Sequence, residues 1–526
     1  MHQKSAESTR DELAWRIGKC LAQRKRRVTK KRQRPVPRCF AWGSPPASTS
    51  RSATCLRPPS PADRHRFGAL EGACAARARR APGLSVSLAA PDGGAACQLG
   101  MRDLALAGWR CGRPCVAMRD TELFQLALGL TPPWQVMASN FNVTDKQLDL
   151  RVDFPAGSQY PCPTCGKPCS VYDSDEKRWR HLDFFQHQAY LVARVPRVWC
   201  QEHGVHQVAV PWARPESKFT LLFEGLILAM APHMAVKHIA RLVGEHDTRI
   251  WRIIRYHVRE ARARANHGSV KRLAFDETAA KRGHDYVTVA VDLDQRRVLF
   301  ACPGKDASCI ESAAADLRAH GGDPLAVTDT ACDMSAAFTK GIGEHLPNAT
   351  ITYDRFHVTK LIIEALEETR REEQREGGWQ RVLLKGNHWA LVRNPANQTS
   401  QQAKVVEVLA MPLLNLKTGR AYRLKLAFQE AYARGPRELE RWYHWAVRSR
   451  LPAMVRAAKT IRSHWDGVIR WFESGITSAI MEGFNSVFQA AKSRARGYRN
   501  HDYFIDMIYL IGAKLDFRAT LRPHTK

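Results

Sequence analysis

Acidic residues are scarce in this 526-residue chain, where 51 Asp and Glu face 81 Lys and Arg for a formal charge of +30 at pH 7. That shortfall points to a polyanionic partner. Long apolar runs are lacking as well. Even Leu221 to Ala231 is short and holds Glu224, against the roughly 20 apolar residues that a membrane-spanning helix needs, so no membrane span is expected. No apolar stretch follows the N-terminal charges, which argues against a secretory signal. The 14 cysteines are unevenly clustered, unlike the paired framework of a secreted disulfide-rich domain. What the chain does have is an apolar fraction of 44%, enough for buried cores and too much for wholesale disorder.

The charge is unevenly placed. Residues 1–117 hold 23 Lys and Arg against 7 Asp and Glu, more than half of the excess in under a quarter of the chain, with seven of the cysteines at spacings that match no metal site. Arg and Lys dominate residues 24–34, Pro, Ser and Thr residues 44–61, and Ala, Gly and Arg residues 71–97. No helical or strand period runs through them. Segment 1–117 reads either as a basic arm that binds nucleic acid without sequence preference or, the favoured reading, as a disordered or mis-assigned extension ahead of a natural start at Met118, where ordinary globular sequence begins.

Cys162-Pro-Thr-Cys165 and Cys200-Gln-Glu-His203 are two close pairs separated by 34 residues. Tetrahedral Zn²⁺ takes thiolate and imidazole donors in such pairs, and four protein donors close the coordination, so a structural zinc module is expected over 118–215. Cys169 competes as a ligand, and His206 could replace His203. The plainer reading, a set of reduced thiols, is disfavoured because both pairs flank strand-like segments such as residues 189–195.

Over 216–266 the apolar positions keep a helical period, and helices at Val236 to Val243 and Thr248 to Arg264 are joined by a turn in which Gly244 suits a helix end and Asp247 an N-cap. This is a helix-turn-helix layout. The second helix carries Arg249, Arg252, Arg255 and Arg259, as groove and phosphate contacts on DNA require, although a basic solvated face on a packing helix has the same pattern.

After a polar linker at 266–269 the pattern turns to strands. Val270 to Phe275 ends at Asp276, and a hairpin follows over Tyr286 to Leu293 and Arg297 to Ala301. Then come a helix (Ser308 to His320), a strand (Leu325 to Thr328) leading to Asp329 and Asp333, a helix (Met334 to His345), and a strand (Thr350 to Tyr353) ending at Asp354. The order βββαβαβ is that of an RNase H-like domain, giving an α/β multidomain protein with its catalytic domain at 270–526. In such a sheet, carboxylates at the ends of the first and fourth strands can share metal ions. Glu482, with Asn485 three residues on and so on the same helix face, is the expected third carboxylate. Two hard divalent cations, Mg²⁺ or Mn²⁺, held by Asp276, Asp333 and Glu482 would activate a water or a DNA 3′-hydroxyl and stabilise the leaving oxygen. Asp333 is preferred as the second aspartate because it leads into a helix, with Asp354 as the alternative and Asp329 as a loop cap. The 148 residues between Asp333 and Glu482 imply an all-α insertion at about 360–465, where Trp379, Trp389, Trp442 and Trp445 are expected mainly to pack in the core, with stacking of one on a flipped base or a hairpin end as the alternative.

These phrases carry a resemblance. Trp179-Arg-His-Leu-Asp183, Leu273-Ala-Phe-Asp276-Glu277, Asp333-Met-Ser335, Pro347-Asn-Ala349, Asp354-Arg-Phe-His357 and Met481-Glu482-Gly-Phe-Asn485 with Lys492-Ser-Arg-Ala-Arg-Gly-Tyr498 resemble, in order from about Met118 to Phe517, the ISL-three (ISL3) family of bacterial insertion-sequence transposases. The resemblance implies a DDE transposase that binds the terminal inverted repeats of its own element and target DNA, acts as a homo-oligomer on DNA, and works in the bacterial cytoplasm at the nucleoid. Lys492, Arg494 and Arg496 are then expected to hold the DNA backbone. Two other readings compete. A chain with decayed catalysis would be a DNA-binding repressor of transposition, but every candidate carboxylate is present. A nuclease acting on RNA–DNA hybrids fits poorly with a helix-turn-helix, which suits a duplex major groove.

Overall fold

A computed structural model describes residues 118–281, 283, 285–476 and 479–522. The extension 1–117, with the basic-arm and early-start readings placed on it, lies outside the described residues. Among the described residues no helix is long and apolar enough to cross a membrane.

The chain opens with helix α1 (Asp120–Leu128) and a sheet of six strands: β1 (Gln135–Asn142), β2 (Gln147–Asp153), β3 (Gln159–Pro161), β4 (Pro168–Arg180), β5 (Gln188–Cys200) and β6 (Gly204–Gln207), in spatial order β1-β2-β5-β4-β3 with β6 on β5. Along β5 the alternate residues Ala189, Leu191, Ala193 and Val195 are buried, the period-two pattern of a strand with one covered face. Trp134, Tyr160, Trp179 and Trp212 fill the space beneath, with the rings of Trp134 and Trp212 edge to face at 4.9 Å.

Three helices follow: α2 (Leu221–Met230), α3 (Val236–Val243) and α4 (Asp247–Ala263). α3 has the bounds expected from sequence and stops at Gly244, whose left-handed φ of 69° a residue with a Cβ rarely adopts. The expected cap on α4 is corrected by one residue. His246 is the N-cap, its ring nitrogen accepting from the Thr248 N–H at 3.3 Å, while Asp247 lies in the first turn, where its charge favours the positive helix end.

The second sheet contains β7 (Arg272–Ala279), β8 (Tyr286–Asp292), β9 (Arg297–Pro303), β10 (Asp329–Cys332) and β11 (Thr350–Tyr353), in order β11-β10-β7-β8-β9, with helices α5 (Ala307–Ala319) and α6 (Ala336–His345) in the crossovers. β10 runs parallel to both neighbours, and the β7-β8-β9 pairs are antiparallel. Two strand positions depart from expectation. β7 runs past Asp276, which lies inside the strand and not at its end. Residues Pro324–Ala326 form a 3₁₀ turn, so the fourth strand starts at Asp329 instead of ending before it.

From β11 to Ser474 the described chain has no strand. It forms α7 (Arg355–Glu376), α8 (Gly378–Leu384), α9 (His388–Val392), α10 (Ser400–Ala410), α11 (Lys417–Arg434), α12 (Pro436–Val447), α13 (Pro452–Ser463), α14 (Trp465–Ile469) and α15 (Trp471–Ser474), before α16 (Ala479–Ala495) and α17 (His501–Gly512) return to the sheet. This helical segment starts at Arg355, a little earlier than expected. Trp442 is core, its indole N–H donating to the Leu424 carbonyl at 2.9 Å, whereas Trp389 and Trp445 are exposed.

Both faces of the second sheet are covered. Leu273 and Phe275 join a core with α5, α6 and the helical segment. Val287, Val289 and Val291 join another, which also holds Ile239, Ile250 and Ile254 of the helix-turn-helix with Phe488 and Ile508 of α16 and α17. The linker at 266–269 thus divides motifs in sequence but not cores in space. The first sheet is attached through Arg180, 2% exposed, which pairs with Asp183 and lies 3.3–3.5 Å from the Ala189 and Val243 carbonyls. Beside it, burial drives the His181 pKa down to about 4, and its Nδ1 bonds Thr220 at 2.9 Å.

Candidate active site and zinc centre

Cys162 and Cys165 occupy the turn between β3 and β4, Cys200 ends β5 and His203 lies in the turn to β6, so the pairing of β4 with β5 sets the two pairs side by side. Each pair is followed by a glycine at positive φ, Gly166 at 73° and Gly204 at 76°, which lets the backbone fold around a metal without a Cβ in the way. The four donor atoms lie within 4.8 Å of one another: Cys162 Sγ to His203 Nδ1 is 3.9 Å, Cys165 Sγ to Cys200 Sγ 3.7 Å and Cys200 Sγ to His203 Nδ1 3.6 Å. A tetrahedron with Zn–S about 2.3 Å and Zn–N about 2.0–2.1 Å sets its donors roughly 3.5–3.8 Å apart, so the residues present fit the ion. The His203 hydrogen bond also brings the Cys200 thiol down to about 6, toward the thiolate that a metal needs. Neither competing ligand joins the cluster: Cys169 Sγ faces the Lys167 carbonyl at 3.4 Å, and His206 bonds the His203 carbonyl at 2.7 Å.

The carboxylates are assembled by strand register. Thr330 pairs with Leu273 and Ala331 with Ala274, and Cys332 pairs with Tyr353. Continuing that register sets Asp333 beside Asp276 on one side and Asp354 on the other, a row across three parallel strands about 4.8 Å apart. Asp329 opens β10, four residues away at its opposite end, and is held by Arg470 at 3.3 Å. Burial pushes the Asp276 carboxyl above the usual range, and the Asp333 and Asp354 charges add to it, while the Glu277 N–H at 2.8 Å and His357 oppose the rise. The neighbouring Glu277 is raised by burial first and Asp333 next. A buried acid beside two others favours its charged form only when a cation arrives.

Helix α16 lies across the end of β7. Asn485 donates to the Asp276 carboxylate at 2.7 Å, Gln489 donates to Thr278 Oγ1 at 2.8 Å and the Ala279 carbonyl at 3.0 Å, and Lys492 donates to the same carbonyl. Positions 482, 485, 489 and 492 fall on one helical face. Glu482 lines a cavity of about 390 Å³ together with Asp354.

Several cations expected on DNA are engaged within the fold. Arg255 pairs with Asp502 and Asp506 on α17 at 2.9 and 3.0 Å. Arg494 donates to the Pro232 and His233 carbonyls, and Lys492 is spent on Ala279. Arg249 pairs with Glu245 at 2.5 Å and lies over the Phe219 ring. Arg252, Arg259 and Arg496 are exposed. Sequence reasoning missed the clamp of Gln489 and Lys492 on β7, whose i+7 and i+10 spacing from Glu482 was the available signal.

Three family models match the chain in succession. One described as the zinc-finger of transposase IS204/IS1001/IS1096/IS1165 covers residues 158–203, one described as the helix-turn-helix domain of transposase family ISL3 covers 208–258, and the ISL3 model described as transposase, of DDE type, covers 273–508. Among curated proteins, the chain is 28% identical over 443 residues to the transposase for insertion sequence element IS1557 of Mycobacterium tuberculosis, with 75% of this chain and 96% of that protein covered. It is 26% identical over 361 residues to the transposase for insertion sequence element IS1001 of Bordetella parapertussis, covering 66% of this chain and 88% of the relative.

Proposed function

The chain belongs to transposase family ISL3, and from that premise we propose that it is a DNA transposase that binds the terminal inverted repeats of an insertion sequence and catalyses metal-dependent strand cleavage and transfer. The observation that carries the reading is the row Asp276, Asp333, Asp354 across β7, β10 and β11, with Glu482 on the helix whose Asn485 bonds Asp276. The strand order β11-β10-β7-β8-β9 supports an RNase H-like catalytic domain, and the helices from Arg355 to Ser474 support an all-α insertion in it.

Asp276, Glu482 and one of Asp333 and Asp354 are the residues to hold Mg²⁺ or Mn²⁺, with Asp333 preferred. Bound there, the cations supply Lewis-acid stabilisation of the phosphoryl oxygens and a more acidic attacking hydroxyl. The protein's own part is placement. Asn485 fixes the orientation of Asp276, the Ser335 N–H donates to Asp333 at 3.0 Å, and Asp354 accepts from the Phe356 N–H at 2.9 Å as the N-cap of α7. Zn²⁺ on Cys162, Cys165, Cys200 and His203 serves as a structural pin, and the exposed Arg252, Arg259 and Arg496 meet phosphates.

The test uses duplexes carrying the element ends with Mg²⁺ or Mn²⁺. Asp276→Asn and Glu482→Gln should bind ends like the parent while cleavage falls on the order of 10³-fold, about 4 kcal/mol in the barrier. Parent protein that binds the ends but leaves both strands intact in either ion would replace this reading with a DNA-binding repressor.

A further inference from the structure

The cavity shared by Asp354 and Glu482 has a second side that the cleavage reading does not use. It lies among the N-terminus of α7, α11, α15 and α16, and besides the two carboxylates its lining is aromatic and cationic. Arg355 lies over the rings of Tyr432 and Trp471, 5.2 and 5.0 Å from their centroids. Phe356, next in the chain, also lines the cavity and is 54% exposed. The Trp471 indole Nε1 is buried with no acceptor among the described residues, an uncompensated donor, unlike the paired Trp442 N–H. Asn394 and Gln429 supply amides, which can both donate and accept.

Size decides what can enter. About 390 Å³ is at the small-molecule end of ligand cavities, and a duplex, whose major groove alone is about 12 Å wide, stays outside. Resting on the transposase reading, the scissile phosphate lies against the carboxylates, so the nucleotide beside it is within reach of this cavity. An aromatic face for a base, a guanidinium for a phosphate and amides for a base edge are the complement of one nucleotide out of its stack. We propose that the cavity receives a single nucleotide of the element end, unpaired and swung out of the duplex beside the cut, its base on Phe356 and its phosphate at Arg355.

The experiment places 2-aminopurine at successive positions around the cleavage site of an end duplex and follows its fluorescence with full-length protein, first without divalent ions and then with Mn²⁺ while strand cleavage is measured. One position should change its emission on binding. Phe356→Ala should lose that change and cleave paired ends about tenfold more slowly, Phe356→Tyr should keep both, and a mismatch at the responsive position should restore Phe356→Ala to near the parent rate. Phe356 is more than half exposed, so its truncation removes little core. Parent that cleaves with flat fluorescence at every position, or a Phe356→Ala defect that no mismatch relieves, overturns the cavity assignment and leaves the transposase reading standing. Parent that neither binds nor cleaves the ends overturns the transposase reading and the assignment with it.

Discussion

The cluster of Cys162, Cys165, Cys200 and His203 and the row around Asp276 are both places for a cation, yet they are built in opposite ways. The zinc donors come from two short loops and lie within 4.8 Å of one another. Thiols can gather without the mutual repulsion of carboxylates, since most give up their protons only to the metal. The carboxylates come from Asp276, Asp333, Asp354 and Glu482, brought together by strand register and a returning helix, and their charges resist crowding: burial and the two neighbouring aspartates push Asp276 upward. One site is closed and serves architecture. The other has an open side toward a cavity, which on the proposed reading leaves room for DNA oxygens.

The sharpest break in that comparison lies within the row. Asp333→Asn should reduce end cleavage on the order of 10³-fold, as a lost metal ligand does, whereas Asp354→Asn should cost far less so long as its capping oxygen still accepts from Phe356. A cleavage assay on both variants, with melting curves to check the fold, decides; the reverse ranking makes Asp354 the second ligand. Next in size is the zinc pin. Cys200→Ser should lose the roughly one zinc per chain and expose residues 118–215 to protease, while Cys169→Ser should keep both. Equal metal content in parent and Cys200→Ser would remove Cys200 from the centre.

A smaller effect separates the cations. Arg252→Ala with Arg259→Ala should weaken end binding and lower the log–log salt slope by about 2. Arg255→Ala should instead lower the melting temperature, because it leaves Asp506, held up at about 6 by burial, without its partner. Salt titration of binding beside thermal melts reads both, and an unmoved salt slope in the double variant would make this face of α4 a bystander.

The smallest effect tests the crowding itself. The Asp276 pKa is raised in the folded state above its ordinary 3.8, so the folded protein holds that proton more tightly than the unfolded chain. Stability is therefore lost as pH climbs from 3.8 through the raised value. In EDTA, Asp276→Asn should melt a few degrees above the parent at pH 7 and no higher than the parent below pH 3.8. A variant that melts lower than the parent at pH 7 without divalent ions would show that the row is not under electrostatic strain.

What the sequence made legible follows the same division. The zinc pairs and the helix Val236–Val243 are local patterns, in which ligand spacing and a terminal glycine suffice. A carboxylate after an apolar run looks like a strand end, so the sequence predicts that the first catalytic strand stops at Asp276, whereas Asp276 lies inside β7 and accepts from Asn485. The fourth strand was displaced because its body, Thr330-Ala331-Cys332, is short and small, while the apolar Leu325 just before it lies in a 3₁₀ turn. Arg255, Lys492 and Arg494 are expected on DNA from composition, which cannot show that they also bond within the fold, to Asp502 and Asp506, to Ala279, and to Pro232 and His233.

That α4 and the catalytic sheet share one apolar core makes the molecule a fixed gauge. In proteins whose DNA-reading module hangs on a flexible tether, the tether absorbs changes in the distance between recognised bases and cut site. Here the reading helix and the carboxylate row have a set separation and a set relative angle. One base pair inserted between the recognised motif and the cleaved bond moves that bond by about 3.4 Å and turns it by roughly 35° around the duplex, and no slack in the protein takes it up. On the transposase reading, spacing along the element end would then be measured as strictly as its sequence is read.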